Sequence, residues 1–465
     1  MTIFGAYTNS EILNYLKEQT PHAEIHIDDK EALDHSANGK AENSIQGKIL
    51  AYVEVGDVED IRGVLKTARK FHVPVVPQTA DTSTVIGADG INGSIILSVK
   101  KLNHIKELNV DDSLAVVEPG VINQELDNAA REKGLFYAPD PASKPISSIG
   151  GNVSTNAGGM SCLKYGATKD NILGLKVMLA DGREIKLGGR TLKQAFGYDL
   201  TQLFIGSEGT LGIVTEITVR LRPLPLGKSV TGMAFFNDMT ALAKCVNKLR
   251  LSGLNFSMLE ALDGKTVVAL DEYEKTNYAK SDSSSMLIFG FDDASEQEPK
   301  VSEKILKENG AWGIEITTDP EKAKKLIKLR QDMLLAVFAQ SDYYIMEDMA
   351  VPLSKLAEMV DYIAKVTKDQ NVMIYTAGHA GDGNLHPTFL WNGQSEAPDN
   401  VIEGIRLLFR KTLSLGGTIS GEHAVGMSKN QWTVEELGSN VDQIQHEIKN
   451  LFDPLGILNP KRKIN

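Results

Sequence analysis

The sequence predicts an α+β protein built from two or three packed units, and three observations carry that expectation. The chain has 465 residues, more than one hydrophobic core ordinarily serves, so several cores are needed and one of them is expected to be discontinuous. Its first half mixes helix–strand pairs with hairpin signals and glycine-rich turns, whereas from about Ser229 onward amphipathic helices alternate with short apolar runs. Pro223 and Pro225 punctuate the chain between these textures, and a domain boundary is placed there.

Taken in order, Asp57 opens a helix whose apolar residues Ile61, Val64, Leu65 and Ala68 share one face, and residues 73–76 follow as a short buried strand. That strand ends in the loop Pro77-Gln78-Thr79-Ala80-Asp81-Thr82-Ser83-Thr84. Strands are expected over 94–99 and 114–118, a helix over 123–133 with Gly134 as its stop, and a hairpin at Asp181-Gly182 joining 175–179 to 184–187. Beyond the boundary, helices are expected over 239–251, 300–308, 320–338 and 353–368, with strands over 286–291 and 372–375. A last helix over 441–451 stops at Phe452-Asp453-Pro454.

Composition narrows the partners. The 61 acidic against 49 basic side chains leave a formal charge of −12, which repels phosphate backbones, so no nucleic-acid partner is expected. A small anionic substrate remains compatible if a buried arginine supplies a local positive field. Cys162 and Cys245 are the only cysteines, too few for a disulfide framework or for an iron–sulfur cluster that needs four, so a reducing cytoplasm is the expected setting. Met1-Thr2-Ile3-Phe4-Gly5 has no basic stretch leading into a long apolar run, and no run of apolar residues is long enough to span a bilayer. Neither a standard secretion signal nor a transmembrane segment is expected, and peripheral attachment to a membrane stays open.

Chemistry concentrates in a few motifs. Asp140-Pro141-Ala142-Ser143 and Ile149-Gly150-Gly151-Asn152-Val153-Ser154-Thr155-Asn156-Ala157-Gly158-Gly159 form the stretch richest in glycine and small residues. Such residues let backbone N–H groups approach an anionic ligand closely, as at a diphosphate; close helix–sheet packing is the other reading. A third small-residue turn, Gly206-Ser207-Glu208-Gly209-Thr210-Leu211-Gly212, enters a strand over 213–221. Most informative is His379-Ala380-Gly381-Asp382-Gly383-Asn384-Leu385-His386, followed by Gly421-Glu422-His423. Two imidazoles and a carboxylate on tightly turning backbone suit a divalent cation that must keep one position open for substrate, and the second pair adds a base. Two loop histidines capping turns are the bland alternative.

The ordered set PDPASKPISSIGGNVSTNAGGM, KYGATKDNILGL, GSEGTLGIVTEITVRLRPLP, GHAGDGNLH, SGEHAVG and FDPLGILNP resembles the FAD-linked oxidases of the vanillyl-alcohol-oxidase type. Within them it is most similar to the group of glycolate oxidase D subunits, D-lactate dehydrogenases and D-2-hydroxyglutarate dehydrogenases, from about residue 45 to the C-terminus. The resemblance implies a two-lobed PCMH-type FAD-binding domain over 45–225 after an N-terminal helical segment over 1–44. It further implies an α+β substrate cap domain over 226–415 and a segment over 416–465 that returns to the flavin and completes the active site. By the same resemblance, FAD contacts fall on Pro77, Thr82, Ser83, Pro141, Gly150, Gly151, Asn152, Gly158, Gly159, Gly212, Ile213 and Asn459. A divalent metal (zinc, manganese or iron) falls on His379, His386 and Glu422, the general base on His423, and the substrate carboxylate on Arg330, which could equally be an exposed helix arginine.

The chain departs from the family at one place. Where relatives carry Pro-Arg-Gly-Gly-Gly-Thr around the diphosphate, it has Pro77-Gln78-Thr79-Ala80-Asp81-Thr82. A carboxylate at Asp81 beside two phosphates would cost about 1 kcal/mol or more unless it is paired or turned away, so weaker flavin binding is expected. Pro352 with Asp348 keeps the family's D-x-x-x-P shape, and Met346 stands where some relatives place a polar substrate contact. No histidine or cysteine lies between Pro77 and Thr84, so FAD is expected to be held by contacts alone.

What the resemblance implies is oxidation of a small D-2-hydroxy acid (D-lactate, glycolate or D-2-hydroxyglutarate class) to the 2-oxo acid, with the metal polarising the hydroxyl, His423 taking its proton and hydride passing to flavin N5. Electrons would leave to a separate acceptor: an iron–sulfur subunit, an electron-transferring flavoprotein, a quinone or oxygen. A homodimer is compatible. Two alternatives stand beside this reading: a flavin-poor pseudoenzyme or assembly subunit, prompted by the altered loop, and a metal-dependent hydrolase or lyase.

Overall fold

The helix expected after Asp57 spans Val58–Phe71, with the Asp57 side chain accepting from the Asp60 N–H at its start. Its apolar face, Ile61, Val64, Leu65 and Ala68, is fully buried. It packs with a four-stranded sheet in the order β1 (Glu24–His26), β2 (Ala51–Glu54), β4 (Ile95–Ser98), β3 (Val75–Gln78). β2, β3 and β4 pair in parallel, and their continuous buried runs of Ala, Val, Ile and Leu are what a sheet covered on both faces requires. Ile457 and Leu458 from the C-terminal segment enter this same core, with Val75 N–H donating to the Ile457 carbonyl at 2.7 Å.

The computed structural model describes residues 7–28, 30, 32 and 48–464. Of the expected N-terminal helical segment, Asn9–Gln19 is helical behind a Thr8/Glu11 capping box and Glu24–His26 is β1, while residues 1–6, 29, 31 and 33–44 lie outside the described residues. Two compact units emerge. The first comprises the described residues up to Gly158, Ala167–Leu224 and the chain from Glu422 on; the second comprises Gly159–Gly166 and Pro225–Gly421.

Besides the parallel sheet, the first unit holds an antiparallel sheet in the order β5 (Ile105–Asn109), β6 (Leu114–Val117), β10 (Ile213–Arg220), β8 (Ile172–Met178), β9 (Glu184–Gly188). The Asp181-Gly182 turn joins β8 to β9 as expected. A short pair, β7 (Leu135–Phe136) with β11 (Arg222–Pro223), lies beside it. The glycine-rich stretch that reads as open backbone in sequence contains a short helix, Ile149–Thr155, capped by Ser148. Ile149 and Val153 anchor it in the second core of this unit.

The second unit is an eight-stranded sheet. Its path runs β15 (Trp312–Thr317), β12 (Lys228–Phe236), β14 (Ser285–Ala294), β13 (Met258–Leu262), β18 (Met373–Gly378), β19 (Asn384–Trp391), β16 (Tyr343–Met346), and β17 (Met349–Ala350) also pairs with β19. Helices Met239–Leu251 and Pro320–Phe338 keep the boundaries their periodicity predicts. The expected helix 353–368 is split into a 3-10 turn at Leu353–Lys355 and a helix at Leu356–Asp369. β12, β13, β19 and the helices Gly264–Glu274 and Asp399–Ser414 add to the elements expected from sequence. Met258 and Leu262 of β13, with Met286 and Ile288 of β14, pack under Leu326, Leu329 and Met333 of the Pro320–Phe338 helix. No described helix is long and apolar enough to cross a membrane.

Candidate active site

In the first unit the glycine turns, the loop after β3 and the C-terminal segment converge. Pro77, within β3, lies against the Gly209 turn, where a Cβ would stand 2.9 Å from the proline ring and φ is +70°, so glycine is required there on both counts. A Cβ on Gly151 would lie 3.3 Å from Thr79 Oγ1. Gly206 and Glu208 donate their N–H groups to the Val153 and Ser154 carbonyls, each at 2.8 Å. Asn459 closes the set by donating Nδ2 to the carbonyls of Gly87 (3.1 Å) and Glu208 (2.6 Å). Arg462, 1% exposed, donates to the carbonyls of Ile86, Asp89 and Pro460 and so pins the loop 86–89 to the tail. Burial pulls its pKa down to about 10.

The carboxylate expected to burden this loop is engaged. Gln78, 2% exposed, donates Nε2 to Asp81 Oδ2 at 3.3 Å and to the Ala88 carbonyl at 3.2 Å. Asp81 itself has φ +52°. Thr82 and Ser83 are half-buried, and Ser83 Oγ accepts from Val85 N–H at 3.4 Å. Pro141 is buried at a turn closed by Lys144 N–H on its carbonyl at 2.7 Å. Gly150 and Gly212 are glycine for packing: a Cβ would lie 2.5 Å from Pro119 Cβ in one case and 2.5 Å from Val177 Cγ1 in the other. Ile213 is a core residue at the start of β10.

Whether this region suits FAD is tested by its unmet polar atoms. Gln78 Oε1, Asn152 Nδ2 and Asn459 Oδ1 are buried without a hydrogen-bond partner, and they sit on three of the segments just described. Buried amide groups left unmet are costly, so a polar organic ligand with its own donors and acceptors beside glycine-lined backbone fits these residues.

Glu422 and His423 also belong to the first unit. A side chain on Gly158 would collide with the Glu422 carboxylate, so residue 158 must be glycine for Glu422 to lie where it does. His423 Nε2 is 3.8 Å from Glu422 Oε1. Glu208 fixes the next residues: its carboxylate, 3% exposed, accepts from Val425 N–H at 3.0 Å and Gly426 N–H at 2.7 Å, with Lys463 Nζ at 3.5 Å.

In the second unit, strand register builds the cluster. Gly383, with φ +86° and no room for a Cβ beside the Val351 carbonyl, makes the turn between β18 and β19, which pairs Ala377 with His386. The His379 and His386 rings stand 5.4 Å apart at 85°. On one side β13 pairs Leu262 with Ala377 and Ala261 with Gly378; one step further, Glu260 faces His379. On the other side β17 pairs Met349 with Leu385; one step further, Asp348 faces His386. Each histidine thus has a carboxylate across from it on the outer strand. Glu260 accepts from His379 Nδ1 at 2.8 and 2.9 Å and from Arg330 Nε at 2.7 Å. Asp348 Oδ1 is 3.7 Å from His386 Nδ1 and accepts from Asn384 Nδ2 at 2.7 Å. Burial alone would raise the Glu260 carboxyl, but the His379 ring and the Arg330 guanidinium outweigh it and hold it below the usual carboxylate value. Gly159 also falls in this unit, its N–H donating to Cys162 Sγ at 3.1 Å.

Two near-perpendicular imidazoles, each faced by a buried carboxylate, suit a divalent ion that takes nitrogen ligands. Sequence reasoning singles out the histidines and Arg330 but passes over Glu260 and Glu208. A signal existed for Glu260, a lone charge inside the apolar strand Met258-Leu259-Glu260-Ala261-Leu262.

Comparison with known proteins agrees with this architecture. The model of the FAD binding domain matches residues 49–188, and that of the FAD linked oxidases, C-terminal domain, matches residues 227–462. The chain is 37% identical over 413 residues to the glycolate oxidase subunit GlcD of Bacillus subtilis (88% of each chain). It is 32% identical over 437 residues to the mitochondrial D-lactate dehydrogenase [cytochrome] of Arabidopsis thaliana (92% of this chain, 76% of the other). In fold it is similar to p-cresol methylhydroxylase with substrate bound (TM-score 0.80, 15% identity, 98% of this chain and 97% of that one). It is also similar to the 4-ethylphenol oxidase of Gulosibacter chungangensis (TM-score 0.76, 16% identity, 99% and 98%). With two family models covering both of its units and relatives above 30% identity along most of its length, the chain belongs to the FAD-linked oxidases.

Proposed function

We propose that this protein oxidises a small D-2-hydroxy acid to the corresponding 2-oxo acid, and the observation that carries the reading is the buried His379–His386 pair beside Arg330 in a chain of the FAD-linked oxidases. Its named relatives, a glycolate oxidase subunit and D-lactate dehydrogenases, support a substrate with adjacent hydroxyl and carboxylate groups. FAD would be held by the segments around Pro77, Thr82, Ser83, Pro141, Gly150 to Gly159, Gly212 and Asn459. His379, His386 and Glu422 would hold a divalent ion, which supplies polarisation of the substrate hydroxyl.

The chain's own groups then divide the work. Arg330 offers a planar pair of donors to the carboxylate and orients the substrate. His423 accepts the hydroxyl proton while the C2–H bond gives up its hydride, so two electrons and two protons leave the alcohol and the carbonyl forms. Bound FAD supplies the two-electron sink. With only Cys162 and Cys245 in this chain, onward transfer needs a separate acceptor.

The test is anaerobic mixing of the flavin-loaded protein with D-lactate, glycolate and D-2-hydroxyglutarate. Loss of the blue absorption of oxidised flavin is expected with at least one of them, and no loss with any would overturn the reading. His423→Ala should retain flavin and metal yet be reduced at least about a hundredfold more slowly.

A further inference from the structure

We propose that Glu260 is a positioning residue: one buried carboxylate clamps the imidazole of His379 and the guanidinium of Arg330, and thereby sets how the chain's cation-binding and anion-binding groups face a single substrate. This rests on the function proposed above and adds to it a residue that would act through His379 and Arg330.

Alternation along β13 places Glu260 on the same face as Met258 and Leu262, the face packed under the Pro320–Phe338 helix. Arg330 is on the inner side of that helix, between Leu326 and Met333, with a side chain 12% exposed. A charged residue 1% exposed in such a core is tolerated only when each of its oxygens is met, and here the partners come from two different elements. Ordinary core packing would be served as well by methionine or leucine at this position.

The bonding pattern assigns the two effects. Because the Glu260 carboxylate accepts from Nδ1, it holds the His379 ring by that nitrogen, and Nε2 is the nitrogen that would take a metal ion. Because Glu260 accepts from Nε of Arg330, the guanidinium plane is fixed; among the described residues its two Nη groups make no hydrogen bond, so both remain for a carboxylate. At His386 the carboxylate across the sheet, Asp348, stands 3.7 Å from Nδ1 and accepts from Asn384 Nδ2 at 2.7 Å.

Glutamine at position 260 has the same size but only one oxygen, so its NH₂ must face either the His379 N–H or the Arg330 N–H. Aspartate keeps the charge but withdraws it by about 1.5 Å, which breaks at least one of the two contacts.

The test compares Glu260→Gln, Glu260→Asp and Arg330→Met with the unaltered flavin-loaded protein. Two quantities are read: Zn²⁺ uptake by chelator-stripped protein, titrated against a chromophoric chelator, and the hydroxy-acid concentration that half-saturates anaerobic flavin reduction. Glu260→Gln should weaken Zn²⁺ binding by about 10- to 100-fold and raise the half-saturating concentration. Arg330→Met should raise that concentration while leaving Zn²⁺ affinity within about threefold, because His379 keeps its acceptor. Should the glutamine variant fail to fold, judged by flavin content and thermal midpoint, Glu260→Asp is expected to show the same double loss. A folded position-260 variant with unaltered Zn²⁺ affinity and half-saturation would overturn the positioning role while the proposed reaction stood. An unaltered protein that takes up no Zn²⁺ and is reduced by no hydroxy acid would overturn both.

Discussion

The two units use a buried glutamate in opposite ways. In the first, Glu208 accepts from two backbone N–H groups, those of Val425 and Gly426, and so fixes where a segment of chain runs. In the second, Glu260 accepts from two side chains, His379 and Arg330, and so fixes how functional groups point. The difference follows from the scaffold. Glycine-rich turns have few side chains to orient, and their backbone must be satisfied or it will move. A strand hairpin satisfies its own backbone, which leaves a carboxylate across the sheet free to hold side chains.

That contrast predicts different failures. The largest stability effect is expected at Glu208→Ala, which strands two backbone donors at once. An apparent loss of about 3 kcal/mol or more should appear in urea unfolding, accompanied by slower flavin reduction because the turn carrying His423 loosens. Unchanged unfolding would mean that the turn is held by other contacts. An intermediate effect is expected at Asp81→Gly, which removes a negative charge and relieves a non-glycine residue at φ +52°. FAD should bind about five- to tenfold more tightly in a fluorescence titration, and weaker binding would show that the Gln78–Asp81 bond organises the loop for the cofactor.

The smallest effect is a control away from both glutamates. Asp127 combines the two modes, accepting from Tyr137 N–H at 3.0 Å, from Lys144 at 2.8 Å and from Arg131 at 3.0 Å. Burial would raise its pKa, but Lys144 and Arg131 outweigh it and leave it below the usual value. A depressed folded-state pKa contributes stability that is present above the unfolded-state value near 4 and disappears as pH falls through the folded value. Asp127→Asn should therefore cost about 1 kcal/mol at neutral pH and flatten the acid limb of the stability curve below about pH 4, with no change in Zn²⁺ affinity. A change in metal uptake would argue that any buried carboxylate perturbs the site indirectly, and the assignment to Glu260 would lose its specificity.

The helices at Met239–Leu251 and Pro320–Phe338 were legible in the sequence because their apolar spacing and Asp caps are local facts. β12 and β19 were harder to see because they are buried over most or all of their length, so the polar residues they carry, such as Asn384, His386 and Thr388 of β19, do not mark a solvent-facing side. The short helix Ile149–Thr155 was hidden for another reason. Glycine and serine disfavour a helix locally, and Ile149 and Val153 anchor it only through the second core of its unit.

The sequence by itself determined the α+β class, the histidines bracketing a glycine turn, the glycine-rich stretches and the altered loop at Gln78 to Asp81, since each is a statement about residues close together in the chain. Only the tertiary structure decided that Glu260 meets His379 across 119 positions and Arg330 across 70, that Gln78 engages Asp81, and that Asn459 and Arg462 return to the loop at 86–89. Those pairings depend on strand register and on which faces are buried together, quantities set by the packing of whole sheets and encoded in no single stretch of chain.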